Sequence, residues 1–101
     1  MQYYQTYDPV RDKIVMFYTY ILRSEKSGRF YTGYTNNLRK RLIQHNEGLS
    51  YYTKRDKPYL LVYFEACLSE DDARSRELYL KSGMGKRFVK NRIKRFLSLT
   101  G

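Results

Sequence analysis

From Met16 to Arg23 the chain reads Met-Phe-Tyr-Thr-Tyr-Ile-Leu-Arg, a run dense in aromatic and β-branched residues, and Ser27-Gly28 supplies a turn before Phe30-Tyr31-Thr32-Gly33-Tyr34. These segments predict a β-hairpin. Thr35 or Asn36 is placed to cap the next element, in which Leu38, Leu42 and Ile43 fall at helical spacing until Asn46-Glu47-Gly48 stops it. Leu49 to Lys57 is a polar, basic loop. Tyr59-Leu60-Leu61-Val62-Tyr63-Phe64-Glu65-Ala66 is then almost continuously apolar, which predicts a strand buried on both faces at the centre of a sheet.

Ser69-Glu70-Asp71-Asp72 opens a second helix with a side-chain cap and with carboxylates set against the positive end of the helix dipole; it is expected to run to about Ser82. Gly83-Met84-Gly85 is expected to break the chain. Beyond it Phe88, Val89, Arg92, Ile93, Phe96 and Leu97 recur with the period of an amphipathic helix, while Lys86, Arg87, Lys90, Lys94 and Arg95 keep its other side basic. The order β-β-α-β-α-α predicts a small α+β domain with a three-stranded antiparallel sheet flanked by helices. Residues 1–15, polar, tyrosine-rich and without either periodicity, are read as an N-terminal extension, and 16–101 as the folded domain.

Length and charge narrow the function. One domain is expected from 101 residues, and 20 Lys plus Arg against 10 Asp plus Glu leave a formal charge of +10, a field that attracts nucleic acid or an anionic surface. No apolar stretch approaches the ~20 residues of a membrane span, and Met1-Gln2-Tyr3-Tyr4 has no signal-like pattern, so the cytoplasm is the expected compartment. Cys67 is the single cysteine, which removes an internal disulfide and any cysteine-cluster zinc site; at the end of an apolar run it reads as a small buried hydrophobe.

The candidate chemistry lies on separate elements. Tyr18 and Tyr20 share one face of the first strand, Tyr31 and Gly33 one face of the second, so Tyr20 and Tyr31 can lie close on one surface once the hairpin pairs. Arg41 and His45, four residues apart, project from one side of the first helix. The guanidinium offers a planar fork of donors for a phosphate and for the extra charge of a pentavalent transition state, and the imidazole offers a proton-handling group. Glu77 follows Ala73 and precedes Leu80 on one face of the second helix, which sets a carboxylate beside core positions. Such an acid needs a partner, either a salt bridge with Arg74, Arg76 or Lys81, or a hard divalent cation.

Taken together, Tyr18-Thr19-Tyr20, Tyr31-Thr32-Gly33, the run from Thr35 to Asn46, and Arg76-Glu77 with Lys81 resemble the GIY-YIG nuclease superfamily, in particular its small stand-alone bacterial members related to the nuclease module of the excision-repair protein UvrC. The resemblance covers about Phe17 to Lys86. It implies metal-assisted hydrolysis of DNA phosphodiesters, with water attacking phosphorus and the 3′-oxygen leaving. It implies Tyr20, Tyr31, Arg41, His45 and Glu77 as the catalytic set, Tyr20 as the base, Tyr31 as the phosphate-positioning phenol and Arg41 as charge stabiliser. Glu77 would be the ligand of one Mg²⁺ or Mn²⁺ ion, and no organic cofactor is implied. An unperturbed phenol ionises near ~10, so nearby positive charge is expected to ease the deprotonation of Tyr20. Tyr18 stands where the family's first motif has its glycine, Thr19 and Thr32 replace aliphatic residues, and the asparagine many relatives place late in the domain has no counterpart, Asn91 lying among basic residues.

With no further targeting module in this sequence, substrate choice is expected to come from the basic surface, giving structure-selective or weakly sequence-specific cleavage of the kind used in DNA repair. Arg39, Lys40, Lys54, Arg55, Lys57, Lys86, Arg87 and Lys90 are the candidate nucleic-acid contacts, and Tyr51 and Tyr52 are candidates for stacking on unpaired bases. The alternative is a nucleic-acid-binding module that keeps the scaffold without turnover.

Overall fold

A computed structural model describes residues 14–100. Most of the expected extension, residues 1–13, therefore lies outside the described residues. The elements in order are β1 (Phe17–Ser24), β2 (Phe30–Thr35), α1 (Leu38–Asn46), β3 (Tyr59–Cys67), α2 (Glu70–Lys81), α3 (Gly83–Arg92) and α4 (Lys94–Thr100). The fold is α+β, with a three-stranded antiparallel sheet in the order β2-β1-β3. No helix among the described residues is long and apolar enough to cross a membrane.

The β1–β2 turn is built locally. Gly28 takes a φ of 77°, the left-handed region a side chain would disfavour, and the Ser24 hydroxyl accepts from the amides of Lys26 and Ser27. Pairing then sets Tyr20 opposite Gly33 and Leu22 opposite Tyr31. These residues share one face of the sheet, where Tyr20, Leu22 and Tyr59 are buried against Leu38 and Leu42 of α1. On the other face Ile21 is buried with Leu80 of α2 and Val89 of α3.

β1, not β3, is the central strand, which corrects the expectation drawn from the apolar run at 59–66. A β-bulge explains the misleading pattern. Ile21 pairs with Tyr63 but Leu22 pairs with Leu61, so Val62 is the extra residue and packs with Tyr63 on the α2–α3 side. Alternation is lost at that point, and a half-covered edge strand reads as continuously apolar. Phe64 remains about half exposed.

Helix ends differ from expectation in two places. Asn37, rather than Thr35 or Asn36, caps α1, its side chain accepting from the Lys40 amide at 3.1 Å. Gly83, Met84 and Gly85 do not form a loop but the first turn of α3. The break is Ser82 alone, which ends α2 and caps α3 by accepting from the Gly85 amide. A Cβ on Gly85 would lie 2.0 Å from the Tyr79 carbonyl oxygen, so glycine there allows α3 to fold back tightly over the end of α2. Ser69 caps α2 as expected, with Glu70, Asp71 and Asp72 in its first turn. The last amphipathic segment is divided at Ile93 into α3 and α4. Cys67 is half-buried rather than buried, and its thiol donates to the Ser69 carbonyl.

Candidate active site

Tyr20, Tyr31, Arg41, His45 and Glu77, drawn from β1, β2, α1 and α2, line one cleft of about 760 Å³ that wraps the β2 edge of the sheet. α1 reaches it from one face and α2–α3 from the other. Lys81, Lys86 and Lys90 line the same cleft, as do Arg29 and Thr53.

Tyr20 is 3% exposed, and its ring lies across Gly33. A Cβ there would sit 2.5 Å from the Tyr20 hydroxyl oxygen and 2.7 Å from the carbon that bears it, so only glycine leaves room. The phenol oxygen is 2.9 Å from His45 Nε2, and the Arg41 guanidinium lies near enough to favour its ionised form. Arg41 Nη1 in turn donates to Gln44 Oε1 at 3.1 Å. The second ring nitrogen of His45, Nδ1, is 2.7 Å from Thr53 Oγ1.

These contacts assign the histidine tautomer by hydrogen-bond accounting. The buried Tyr20 hydroxyl has its own proton to give. The acceptor within reach is His45 Nε2, which leaves the ring proton on Nδ1 and donated to Thr53. The imidazole must be neutral for this. Burial and then the Arg41 charge lower its pKa to about 4, so at neutral pH it is uncharged.

Arg41 does ease the ionisation of Tyr20, as expected from nearby positive charge, but in the free protein burial outweighs it. Burial raises the pKa of the phenol above 10.0, the Arg41 guanidinium opposes that rise without cancelling it, and the Glu77 carboxylate adds to it. Desolvation outweighs one guanidinium because the ring is almost wholly covered. Tyr20 is a neutral phenol at pH 7.

Tyr31 is held differently. Its hydroxyl donates to Asp56 Oδ2 at 2.9 Å, and Asp56 also accepts from Ser27. The Ser27 and then the Tyr31 hydrogen bond lower the pKa of Asp56, keeping it ionised. Tyr59 stands edge-on to both Tyr31 and His45 and donates to the Thr53 carbonyl at 2.6 Å. Burial, followed by the nearby Tyr31 and Asp56, pushes its phenol up to about 12, so it serves as a fixed donor. The loop between α1 and β3 thus supplies Thr53 to His45 and Asp56 to Tyr31. Neither residue stands out by periodicity; the one signal for Asp56 is a carboxylate set among Lys54, Arg55 and Lys57.

Glu77 pairs with Lys81 at 3.3 Å, one of the three cations its sequence context offers. Arg76 is committed elsewhere, to Glu65 by two bonds of 2.8 and 3.0 Å and to the rings of Tyr79 and Phe88. The Glu77 side chain is 19% exposed, and among the described residues it is the one carboxylate in the cleft lining. Among the described residues no three His, Cys, Asp or Glu side chains gather into a ligand cluster. That donor set fits a single hard cation bound through one carboxylate, with water and phosphate oxygens filling its shell, and does not fit a fully protein-caged metal.

Of the candidate nucleic-acid contacts, Lys86 and Lys90 project from α3 into the cleft. Arg39 lines a separate hollow beyond α1 with Tyr18 and Phe64. Lys40, Lys54, Arg55, Lys57 and Arg87 are exposed outside both linings.

Comparison with known proteins places these residues in context. Residues 16–95 match the GIY-YIG catalytic domain. The chain is 48% identical over 67 residues to a UPF0213 protein of Clostridium perfringens, covering 65% of this chain and 71% of that one. It is 39% identical over 85 residues to a UPF0213 protein of Pediococcus pentosaceus, covering 83% and 88%. A UPF0213 protein of Bacillus halodurans with a solution NMR structure is 31% identical, with a TM-score of 0.45 and coverage of 85% of this chain and 86% of that chain.

Proposed function

This chain belongs to the GIY-YIG catalytic domain family, and from that premise we propose that it is a metal-dependent endonuclease that hydrolyses DNA phosphodiester bonds in the cleft on the β2 edge. The observation that carries the reading is the meeting of two phenols, a guanidinium, a neutral imidazole and one carboxylate in a single basic cleft. A packing role alone does not call for a buried Tyr20 hydroxyl to be hydrogen-bonded to His45 beside the Arg41 charge.

Arg41 binds a non-bridging phosphate oxygen and gains in strength as charge builds there in the transition state. Tyr31, aimed by Asp56, orients the phosphate. Tyr20 Oη takes a proton from the attacking water while passing its own proton to His45 Nε2, so a free phenolate never has to form. The low basicity of His45 in the free protein is relieved at that moment. Part of its depression comes from the Arg41 charge, which the substrate phosphate offsets. Thr53, through Nδ1, holds the ring in the accepting tautomer. Glu77 would hold the divalent cation once Lys81 swings away, and that cation would supply charge neutralisation at the phosphate. Lys86 and Lys90 guide the backbone without reading bases, which suits weak sequence specificity.

Nicking of supercoiled plasmid and branched DNA in Mg²⁺ or Mn²⁺ is the test. The intact protein is expected to cut, while Tyr20→Phe and Glu77→Ala lose at least 10²-fold. Binding without cleavage by the intact protein would refute the enzyme reading in favour of a nucleic-acid-binding module on the same scaffold. Cleavage untouched by Glu77→Ala would remove the metal assignment.

A further inference from the structure

The loop that holds Thr53 and Asp56 in place also carries two tyrosines that contribute nothing to the core. Tyr51 is 76% exposed and Tyr52 is 86% exposed. Their rings meet edge to face, with centroids 5.3 Å apart at 88°. Lys54 Nζ lies 5.2 Å from the Tyr51 ring centroid, over its face. Tyr51 is therefore braced on two sides. Tyr52 keeps its ring open to solvent, and it lines the cleft that contains Tyr20 and His45.

Holding an aromatic ring in water forfeits the gain from burying it, and in a basic cleft the ligand that recovers it is anionic and flat. Lys54, Arg55 and Lys57 follow on the same loop, all exposed, and the chain carries a formal charge of +10. A polyanion with exposed π-faces matches both features. Duplex DNA does not offer such faces, since each base is already stacked on its neighbours; an unpaired nucleotide does.

We propose that Tyr52, braced by Tyr51, is a stacking platform for an unpaired nucleobase at the rim of the cleft, so that the DNA engaged there has a single-stranded segment beside the bond to be cut. The position of the cut rests on the nuclease reading, whereas the platform itself does not. Tyr52 is adjacent in sequence to Thr53, whose Oγ1 holds His45. A base seated on Tyr52 is thus coupled through one residue to the group that receives the Tyr20 proton. Stacking reads the π-face and not the hydrogen-bonding edge, so the preference is for strand state and not for sequence.

The experiment measures binding in EDTA, where no metal-dependent cutting intrudes, to three DNAs: a single-stranded dodecamer, an abasic dodecamer of the same charge, and a blunt duplex. The intact protein is expected to bind the base-bearing strand about tenfold more tightly than the abasic one. It should also quench a 2-aminopurine in that strand. Tyr52→Ala should abolish both the preference and the quenching while leaving abasic and duplex affinities as they were, and Tyr52→Phe should keep both. The side chain is exposed, so duplex affinity doubles as the check that the variant is folded. Equal affinity for base-bearing and abasic strands would overturn the platform, as would a preference that survives Tyr52→Ala. Self-association without DNA that Tyr52→Ala abolishes would also overturn it, assigning the ring to a protein contact. Base-dependent binding without nicking would sink the nuclease reading and leave the platform standing, and nicking without base-dependent binding would do the reverse.

Discussion

Replacing Gly33 with alanine tests whether the Tyr20 ring is truly seated against the backbone of β2. The added Cβ would lie 2.5 Å from the Tyr20 hydroxyl oxygen, where ordinary contact begins at 3.4 Å, so the oxygen must retreat by about 0.9 Å. A buried ring flanked by His45 and Arg41 cannot yield that far without losing one of them, and the 2.9 Å bond to His45 is then out of range. Overpacking costs about 1–3 kcal/mol, and a buried hydroxyl left without its partner about 1–3 kcal/mol. Because the two share one cause, we expect a net loss near 2–3 kcal/mol.

The sign is the discriminating feature. In a strand interior where nothing touched the new methyl, Gly→Ala would stabilise by about 0.5–1 kcal/mol through reduced chain entropy. Urea unfolding of both proteins, with a common slope, reads the difference directly. A second readout is available because His45 is the single histidine of the chain: its imidazole resonance should move when Tyr20 leaves it. Nicking, on the proposed mechanism, should fall about 10²-fold, the usual consequence of a misplacement of this size. A Gly33→Ala protein as stable as the parent or more so, with an unmoved His45 resonance, would refute the placement of Tyr20 and with it the proton path.

Two further predictions follow from His45. Its folded pKa of about 4 lies below the ordinary 6.5, with burial the larger cause and Arg41 the smaller. The unfolded chain therefore binds the proton more readily, so the associated stability is complete above pH 6.5 and is lost as pH falls toward 4. At most about 3 kcal/mol is involved. NMR titration of this one ring checks the value, with Arg41→Ala moving it upward, and comparison of urea midpoints with His45→Gln isolates its share; a titration midpoint near 6.5 defeats the prediction. Thr53→Val removes the Nδ1 partner at nearly constant volume. It should cost about 1–3 kcal/mol and shift the tautomer seen in ¹⁵N resonances, with Thr53→Ser restoring both; an unchanged tautomer in Thr53→Val would remove Thr53 from the site.

Much of the architecture was legible because its determinants are short in range. The Ser27-Gly28 turn, the Ser69 cap with its acidic first turn, and the helical spacing of Leu38 and Leu42 each depend on neighbours within a few residues. Strand order was not legible. The bulge at Val62 erased the alternation that marks β3 as a half-covered edge strand, and a bulge declares itself only through a partner strand. Likewise the glycines at 83 and 85 signalled a break, but the space Gly85 opens is against Tyr79 of the preceding helix, and the chain uses it to begin a helix.

For the candidate site the same division holds. Sequence by itself determined which chemical groups exist and which of them share an element: Arg41 with His45 and Glu77 with Lys81 on helix faces, Tyr18 with Tyr20 on a strand face. Those relations follow from the fixed periods of helix and strand. Tertiary structure alone decided that Gly33 is the floor under Tyr20, that Thr53 partners Nδ1 of His45, that Asp56 aims Tyr31, and that burial raises the Tyr20 pKa despite Arg41. Charge can be counted along a chain, but desolvation depends on what covers a group. The covering residues here come from strands, helices and a loop that only folding brings together.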